Sequence, residues 1–168
     1  MYRKSFFIVL LALMVMGLLA TGTRYVMAIP GVTGLPSSYD PKIPMMEAMQ
    51  TSTKPLLIEF YSDTCGTCQV VTPWTYKLKD RFANDLTFVM VDVNDPQNAQ
   101  VSQIFGIEYI PAIFVFDAKH MAKAQVSTSA YANSEALGKG IQDALDDVKQ
   151  KVDAKTKKGA TSSTPQIR

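Results

Sequence analysis

The hydrophobic and polar positions along the chain predict strands that alternate with helices. Three short and nearly continuous apolar runs, at residues 56–61, 86–93 and 112–116, are typical of strands covered on both faces. Helices are predicted at residues 45–51, from the loop after the first strand to Ala83, from Asp95 to Phe105, and from Ser134 onward. Residues 122–127 indicate a fourth strand antiparallel to the third. The pattern therefore predicts an α/β fold with a central mixed β-sheet flanked by helices.

Two of the predicted helices carry an apolar stripe at helical spacing. In the helix after the first strand the stripe consists of Val70, Trp74, Leu78 and Phe82. In the last helix it consists of Leu137, Ile141, Leu145, Val148 and Val152. Such stripes are the faces that helices bury against a sheet, so both helices are expected to pack on it.

The N-terminal segment is the most apolar part of the chain. Arg3 and Lys4 precede an uncharged stretch from Ser5 to Thr23, which as a helix is about 28 Å long and close to the thickness of a bilayer core. It predicts a membrane anchor or a signal peptide cleaved after Ala28. A buried soluble helix is disfavoured, because the stretch has no polar face. The basic residues favour the cytoplasmic side, so either interpretation places the rest of the chain outside the cytoplasm, in a periplasm or an equivalent lumen, or secreted after cleavage.

Composition divides the chain into four parts. Residues 1–28 form the anchor or signal, and residues 29–44 form a Pro, Gly and Ser-rich linker that either tethers the domain or wraps along its surface. Residues 45–149 form the folded domain. Residues 150–168 are rich in Lys, Thr and Ser and are expected to be a disordered tail.

Charge and cysteine content exclude several function classes. The net charge is +2, but residues 29–148 hold 8 basic and 14 acidic side chains, which argues against a nucleic-acid-binding domain. Two cysteines and one histidine are too few for a multi-disulfide scaffold or for a closed zinc site. We therefore expect no metal and no cofactor other than a redox-active disulfide.

The candidate chemistry lies in the Cys65-Gly66-Thr67-Cys68 motif, between the first strand and the start of a helix. Cysteines at positions i and i+3 of a first helical turn can close a disulfide and reopen it. The free N–H groups and the positive dipole end of the helix favour a thiolate at Cys65. Cys65 is therefore the expected nucleophile, and the shielded Cys68 is expected to resolve the mixed disulfide.

Two other interpretations of the cysteine pair are a structural disulfide and half of a metal site. A metal site needs two further ligands, and the single histidine, His120, lies 52 residues after Cys68 in a predicted turn. The position of the pair favours the redox interpretation, because βα units place functional groups where a buried strand ends and a helix begins.

With these residues the chain resembles the thioredoxin superfamily over about residues 54–148. The resemblance rests on four features in order, namely Glu59, the CGTC motif, Pro73 and the Ile110-Pro111 pair. It implies a thioredoxin fold in which Pro111 follows a cis peptide bond and faces the disulfide. The backbone of Ile110 and Pro111 then binds an extended substrate strand, and Glu59 is the buried acid that exchanges a proton with Cys68. The residue-based alternatives are a trans Pro111 that opens a strand and a salt-bridged or partly exposed Glu59.

The chain departs from the usual pattern of the superfamily around the motif. Thr64 replaces a tryptophan, Thr67 replaces a proline, and Met90 stands where a lysine often accompanies the buried acid. Tyr61 is the candidate to flank the active-site loop in place of the missing tryptophan. Burial of Glu59 in a strand predicts a raised carboxyl pKa.

The resemblance implies an exported, membrane-anchored thiol-disulfide oxidoreductase that acts on protein disulfides or dithiols. The Gly-Thr centre of the motif lacks the histidine of strongly oxidising members, which favours a reductant, and a membrane thiol carrier is then the implied electron donor. We expect a monomer. The alternatives are an exported oxidase or isomerase, and a non-enzymatic module that binds copper or zinc.

Overall fold

The computed structural model describes residues 34–119 and 122–161. The predicted anchor or signal segment and His120 lie outside the described residues, as do the first five residues of the predicted linker. Within the described ranges no helix combines the length and the apolar character needed to cross a membrane.

A four-stranded mixed sheet forms the centre of the domain, as the sequence predicts. Its strands are β1 (Leu56–Tyr61), β2 (Thr87–Asp92), β3 (Ala112–Phe116) and β4 (Lys123–Gln125), in the order β2-β1-β3-β4. β1 is parallel to β2 and antiparallel to β3, and β4 is antiparallel to β3. The register places Glu59 of β1 between Met90 of β2 and Ile113 of β3.

In the described part of the chain, four α-helices and three short 3₁₀ turns surround the sheet. The helices are α1 (Met45–Thr51), α2 (Gly66–Leu78), α3 (Ala99–Phe105) and α4 (Ser134–Thr161), and the turns are η1 (Pro36–Ser38), η2 (Pro96–Asn98) and η3 (Thr128–Ala132). Asp95 caps η2 through the Gln97 N–H, as predicted from the Asp-Pro pair. Gly106 ends α3 with a φ of +62°, a left-handed conformation that favours glycine.

Alternation along β1 divides the core between the two faces of the sheet. Leu57 packs with residues of α2 and α4, whereas Leu56, Ile58 and Phe60 pack with residues of α1 and α3. Since side chains of a strand point alternately to opposite faces, Glu59 lies on the same face as Leu57. The carboxyl is therefore directed to the side of the sheet that α2 covers.

The buried side of α2 differs from the predicted stripe. The helix ends at Leu78 rather than at Ala83, and Val70 and Trp74 are only partly buried. The fully or nearly buried residues are Cys68, Val71, Thr72, Pro73, Thr75 and Leu78. The predicted stripe was right for Leu78 and Phe82, which are buried in the core. It overestimated the burial of Val70 and Trp74, because it counted only apolar residues whereas the helix turns two threonines towards the sheet.

The helix α4 extends eleven residues beyond the predicted start of the tail at residue 150. It continues to Thr161, so the expectation of disorder from residue 150 onward was wrong for this part. Val152 still packs against the core, and Lys151 forms an i,i+4 ion pair with Asp147 (2.7 Å). These contacts prolong the helix, and residues 162–168 lie outside the described residues.

Candidate active site

The two cysteines form a disulfide at the N-terminus of α2. Cys65 is the N-cap residue, with extended backbone (φ −83°, ψ 111°), and Cys68 lies in the first turn at a Cα–Cα distance of 5.2 Å. Cys65 is partly exposed, whereas Cys68 is completely buried. An incoming thiol or disulfide therefore reaches Cys65 first.

The helix N-terminus also provides a donor to the accessible sulfur. The Cys68 N–H donates to Cys65 Sγ at 3.1 Å, in the manner of an N-cap side chain. After reduction the same N–H faces a thiol or thiolate. A hydrogen bond and the positive end of a helix dipole both favour the thiolate, which is the nucleophilic form.

The Ile110-Pro111 peptide bond is cis, as the resemblance implies, and lies beside the disulfide. The carbonyl oxygen of Ile110 is 3.6 Å from Cys65 Sγ. A disulfide sulfur has no proton, so this is a contact in the oxidised form, whereas a reduced thiol can donate to the same carbonyl. The structure thus brings the predicted substrate-binding backbone to the predicted nucleophile, and the binding role itself stays a prediction.

Two polar residues that the sequence analysis missed, Ser62 and Asn94, hold the active-site loop by hydrogen bonds. In this loop the predicted residues Thr64, Gly66 and Thr67 are exposed. Ser62 Oγ accepts from the Thr64 N–H (3.2 Å) and from the Asn94 side-chain amide (2.6 Å), and it shares a hydrogen bond with Thr64 Oγ1 (2.9 Å). Asn94 follows β2 and lies 32 residues from Ser62 in sequence. Only the parallel pairing of β1 with β2 brings the two together, and no local pattern signals it.

Tyr61 is buried beneath the N-terminal part of the described domain. It therefore does not flank the exposed active-site loop in place of the missing tryptophan, as the sequence analysis predicted. It is the last residue of β1, its side chain is 1% exposed, and its hydroxyl donates to Asp40 Oδ2 at 3.1 Å. Burial, followed by the charge of Asp40, raises the pKa of Tyr61 above its ordinary value. The tyrosine is therefore a neutral donor at physiological pH.

Glu59 is completely buried, and burial raises its carboxyl pKa to about 7, as the sequence predicts in direction. A hydrogen bond from the Thr72 hydroxyl opposes this shift without cancelling it. Thr72 Oγ1 donates to Oε1 at 2.6 Å, whereas the Thr75 hydroxyl is turned to the Val71 carbonyl (3.3 Å). Among residues 34–119 and 122–161, Oε2 has no hydrogen-bond partner. A carboxyl in this state exchanges its proton near neutral pH.

Thr72 connects the cysteine helix to this carboxyl. It lies one helical turn after Cys68, on the same buried face of α2, and its hydroxyl bonds Glu59 directly. The sequence analysis missed Thr72, although the i,i+4 spacing from Cys68 is a signal that could have indicated it. Together these residues place a titratable carboxyl behind the buried cysteine.

No group of three or more His, Cys, Asp or Glu side chains is arranged to hold a metal ion within residues 34–119 and 122–161. The described site brings together an accessible sulfur, a buried sulfur and a buried acid whose pKa is raised.

Comparisons with known proteins agree with this fold. The family model for thioredoxin matches residues 44–143. The chloroplastic thioredoxin-like protein HCF164 of Arabidopsis thaliana is 33% identical over 75 residues, which are 45% of this chain and 28% of that protein. Thioredoxin 1 of Chlorobaculum tepidum is 33% identical over 70 residues, which are 42% of this chain and 67% of the relative.

Among solved structures, mitochondrial thioredoxin 3 of Saccharomyces cerevisiae is similar with a TM-score of 0.43 and 27% identity, over 56% of this chain and 82% of that one. The matched segment spans little more than a quarter of the HCF164 proteins of Arabidopsis and rice. The family match, in contrast, covers more than half of this chain and includes both cysteines, Glu59 and Pro111. The chain therefore belongs to the thioredoxin family.

Proposed function

We propose that the protein reduces disulfides of protein substrates on the extracytoplasmic side of a membrane. The observation that carries the proposal is the asymmetry of the cysteine pair, since Cys65 is accessible at a helix N-terminus and Cys68 is buried. The Gly-Thr centre of the motif supports the reducing direction. Export is supported by the basic residues and the long apolar segment at the N-terminus.

The reaction proceeds in two exchange steps. The Cys65 thiolate attacks one sulfur of a substrate disulfide, a Cys65–substrate bond forms, and the other substrate sulfur leaves as a thiolate. Cys68 then loses its proton and attacks Cys65 Sγ, which closes the Cys65–Cys68 disulfide and releases the second substrate thiolate. Two electrons pass to the substrate, and the two released thiolates take up protons.

Residues around the cysteines assist these steps. The Cys68 N–H stabilises the Cys65 thiolate in the attack, and the Ile110 carbonyl lies where an extended substrate chain can pair with the backbone. Glu59 accepts the proton of Cys68 during the second step, directly or through water. A membrane thiol carrier returns the enzyme to the dithiol state by supplying two electrons.

Cysteine variants test the role of each sulfur. Cys65→Ser is expected to abolish insulin reduction with dithiothreitol as donor, whereas Cys68→Ser is expected to accumulate Cys65-linked mixed disulfides with substrates. Ser129→Ala, which alters an exposed hydroxyl in η3, serves as the control. Insulin reduction that survives Cys65→Ser contradicts the proposal.

The reduction potential tests the direction of the reaction. A reductant is expected near the thioredoxin value of about −270 mV, whereas a strong oxidase lies near about −120 mV. Equilibration of the full chain with glutathione or dithiothreitol buffers, followed by trapping of free thiols, measures it. A value at the oxidising end assigns the protein to the oxidase or isomerase class instead.

A further inference from the structure

The N-terminal part of the described chain is bonded to the active-site end of β1. We call residues 34–44 the strap. The Ser37 N–H and Oγ donate to the two carboxylate oxygens of Asp63 at 2.8 and 2.7 Å, and Asp63 lies two residues before Cys65. The Tyr61 hydroxyl donates to Asp40 of the strap. The segment that the sequence predicts as a tether or a surface wrap thus makes three hydrogen bonds at this end of the strand.

The strap also packs against α2. The rings of Tyr39 and Tyr76 lie 5.2 Å apart between centroids, and Pro36 is buried. Residues 59 and 61 are two positions apart in β1, so their side chains lie on the same face of the sheet, and Asp63 follows in the turn after the strand. The strap therefore covers the side of β1 that carries the Glu59 carboxyl.

A cavity of about 170 Å³ lies between the strap, α2 and the sheet. Glu59 lines it together with Ser38 and Asp40 of the strap, Thr75 and Lys79 of the α2 side, and Met90 of β2. A buried water occupies about 30 Å³, so the cavity has room for several. Oε2 of Glu59, which has no hydrogen-bond partner in the part of the chain that the structure describes, is the polar atom that such water would satisfy.

Titratable side chains face the carboxyl from three packed elements. The strap contributes Tyr39 and Asp40, the α2 side contributes Tyr76 and Lys79, and η3 contributes Tyr131. The groups on the α2 side and in η3 do not belong to the strap. Displacement of the strap moves Tyr39 and Asp40 away and opens a path for water to Glu59.

We propose that the strap is a gate over Glu59, and that Ser37 and Asp40 are positioning residues that keep it closed and so limit proton exchange between this carboxyl and solvent. The effect of the gate on catalysis rests on the proposed function, in which the Glu59 carboxyl accepts the proton of Cys68. A partner or a membrane that pulls on the N-terminal segment would open the gate and change the rate of the second exchange step.

The test measures the titration of Glu59 in the full chain in detergent micelles. The chain has four glutamates, so ¹³C labelling at Cδ gives few signals, and Glu59→Gln assigns the relevant one. The double variant Ser37→Ala/Tyr61→Phe removes two of the bonds, and Ser37→Glu places a like charge against Asp63. Ser37→Thr keeps the hydroxyl, and Ser129→Ala is the surface control.

Opening of the gate admits water, which favours the charged carboxylate. We expect the titration midpoint of Glu59 to fall by about one pH unit, a tenfold change in proton affinity, in Ser37→Ala/Tyr61→Phe and in Ser37→Glu. The midpoint should not change in Ser37→Thr or Ser129→Ala. A purely structural role would lower the melting temperature and leave the midpoint unchanged.

Amide hydrogen exchange at residues 37–40 reports whether the strap is released. An unchanged midpoint with a released strap overturns the proposal, and so does a strap that stays protected in both variants, because its bonds would then not hold it. The titration uses the disulfide form without substrate, so it succeeds or fails independently of insulin reduction by Cys65.

Discussion

At the scale of the residue, burial and a hydrogen bond from one hydroxyl together determine the pKa of the Glu59 carboxyl. The carboxyl lies in the middle of β1 at 0% exposure, and its strand neighbours Met90 and Ile113 are uncharged. Desolvation disfavours its charged form, whereas the Thr72 hydroxyl partly restores it. The result is a group that changes charge near neutral pH, where thiol exchange also depends on protonation.

The raised pKa of Glu59 predicts a pH-dependent stability. The native carboxyl binds its proton more tightly than the unfolded one, with a pKa of about 7 against 4.5. Its contribution to the free energy of unfolding is thus complete below about pH 4.5 and is lost as the pH rises through 7. We expect a loss of about 3 kcal/mol from this group, which Glu59→Gln removes. Urea unfolding of the disulfide form at pH 4.5 and pH 8 measures it.

The exposed Glu47 offers the matched control for this measurement. Glu47→Gln is expected to leave the pH dependence as in the unaltered chain, whereas Glu59→Gln gains stability relative to it as the pH rises. Parallel pH profiles for the unaltered chain and Glu59→Gln would show that the buried carboxyl keeps an ordinary pKa.

The residues that sequence reasoning indicated are those that a motif or the resemblance marks. The cysteine pair is a local motif, whereas the resemblance indicated the buried acid and the Ile-Pro pair. Ser62 and Asn94 were missed, because their bond depends on the pairing of β1 with β2. Tyr61 was assigned to the loop because it is near in sequence, but the alternation of β1 directs it to Asp40.

At the scale of the element, the apolar pattern predicted the sheet better than the helix ends. The strands are set by continuous apolar runs, and their observed bounds differ from the predicted ones by few residues. The end of α4 was mispredicted because the Lys-rich composition after residue 149 suggested disorder. Helix propensity, the ion pair Lys151–Asp147 and the packing of Val152 outweigh that composition.

Two glycines in α4 provide a test of how closely this helix packs. A Cβ added at Gly140 would lie 3.1 Å from Val126 Cγ1 and 2.7 Å from Ala130 Cβ, and the Ala130 Cβ cannot move without its backbone. At Gly138 the closest atom is the flexible tip of Arg81, at 2.9 Å. Both alanine substitutions gain helix propensity of about 1 kcal/mol, but only Gly140→Ala overpacks the contact with η3.

We therefore expect Gly140→Ala to be less stable than Gly138→Ala by about 1–3 kcal/mol. Chemical unfolding of the two variants in the disulfide form gives the comparison, and each serves as the other's control for propensity. Equal stabilities would mean that α4 does not approach η3 as closely as described.

At the scale of the whole molecule, the strap is the feature that the sequence predicted only as one of two possibilities. Its Pro, Gly and Ser content is compatible with a free tether and with a wrap along the surface. The hydrogen bonds from Ser37 to Asp63 and from Tyr61 to Asp40 show that residues 34–44 lie along the surface of the domain. They join positions 21 and 26 residues apart, so no local pattern could have indicated them.

The proposed location predicts which side of a membrane Cys65 faces. Arg3 and Lys4 before the apolar segment should keep the N-terminus cytoplasmic and export the domain. In spheroplasts of a bacterial host, a membrane-impermeant maleimide should label Cys65 of the Cys68→Ser variant without lysis. A chain that lacks residues 1–28 should be labelled only after lysis, because it has lost the export signal.

Labelled full-length chain that sediments with membranes indicates the anchor, and labelled chain in the soluble exported fraction indicates cleavage. Full-length chain found soluble in the cytosol, and labelled only after lysis, contradicts both forms of export.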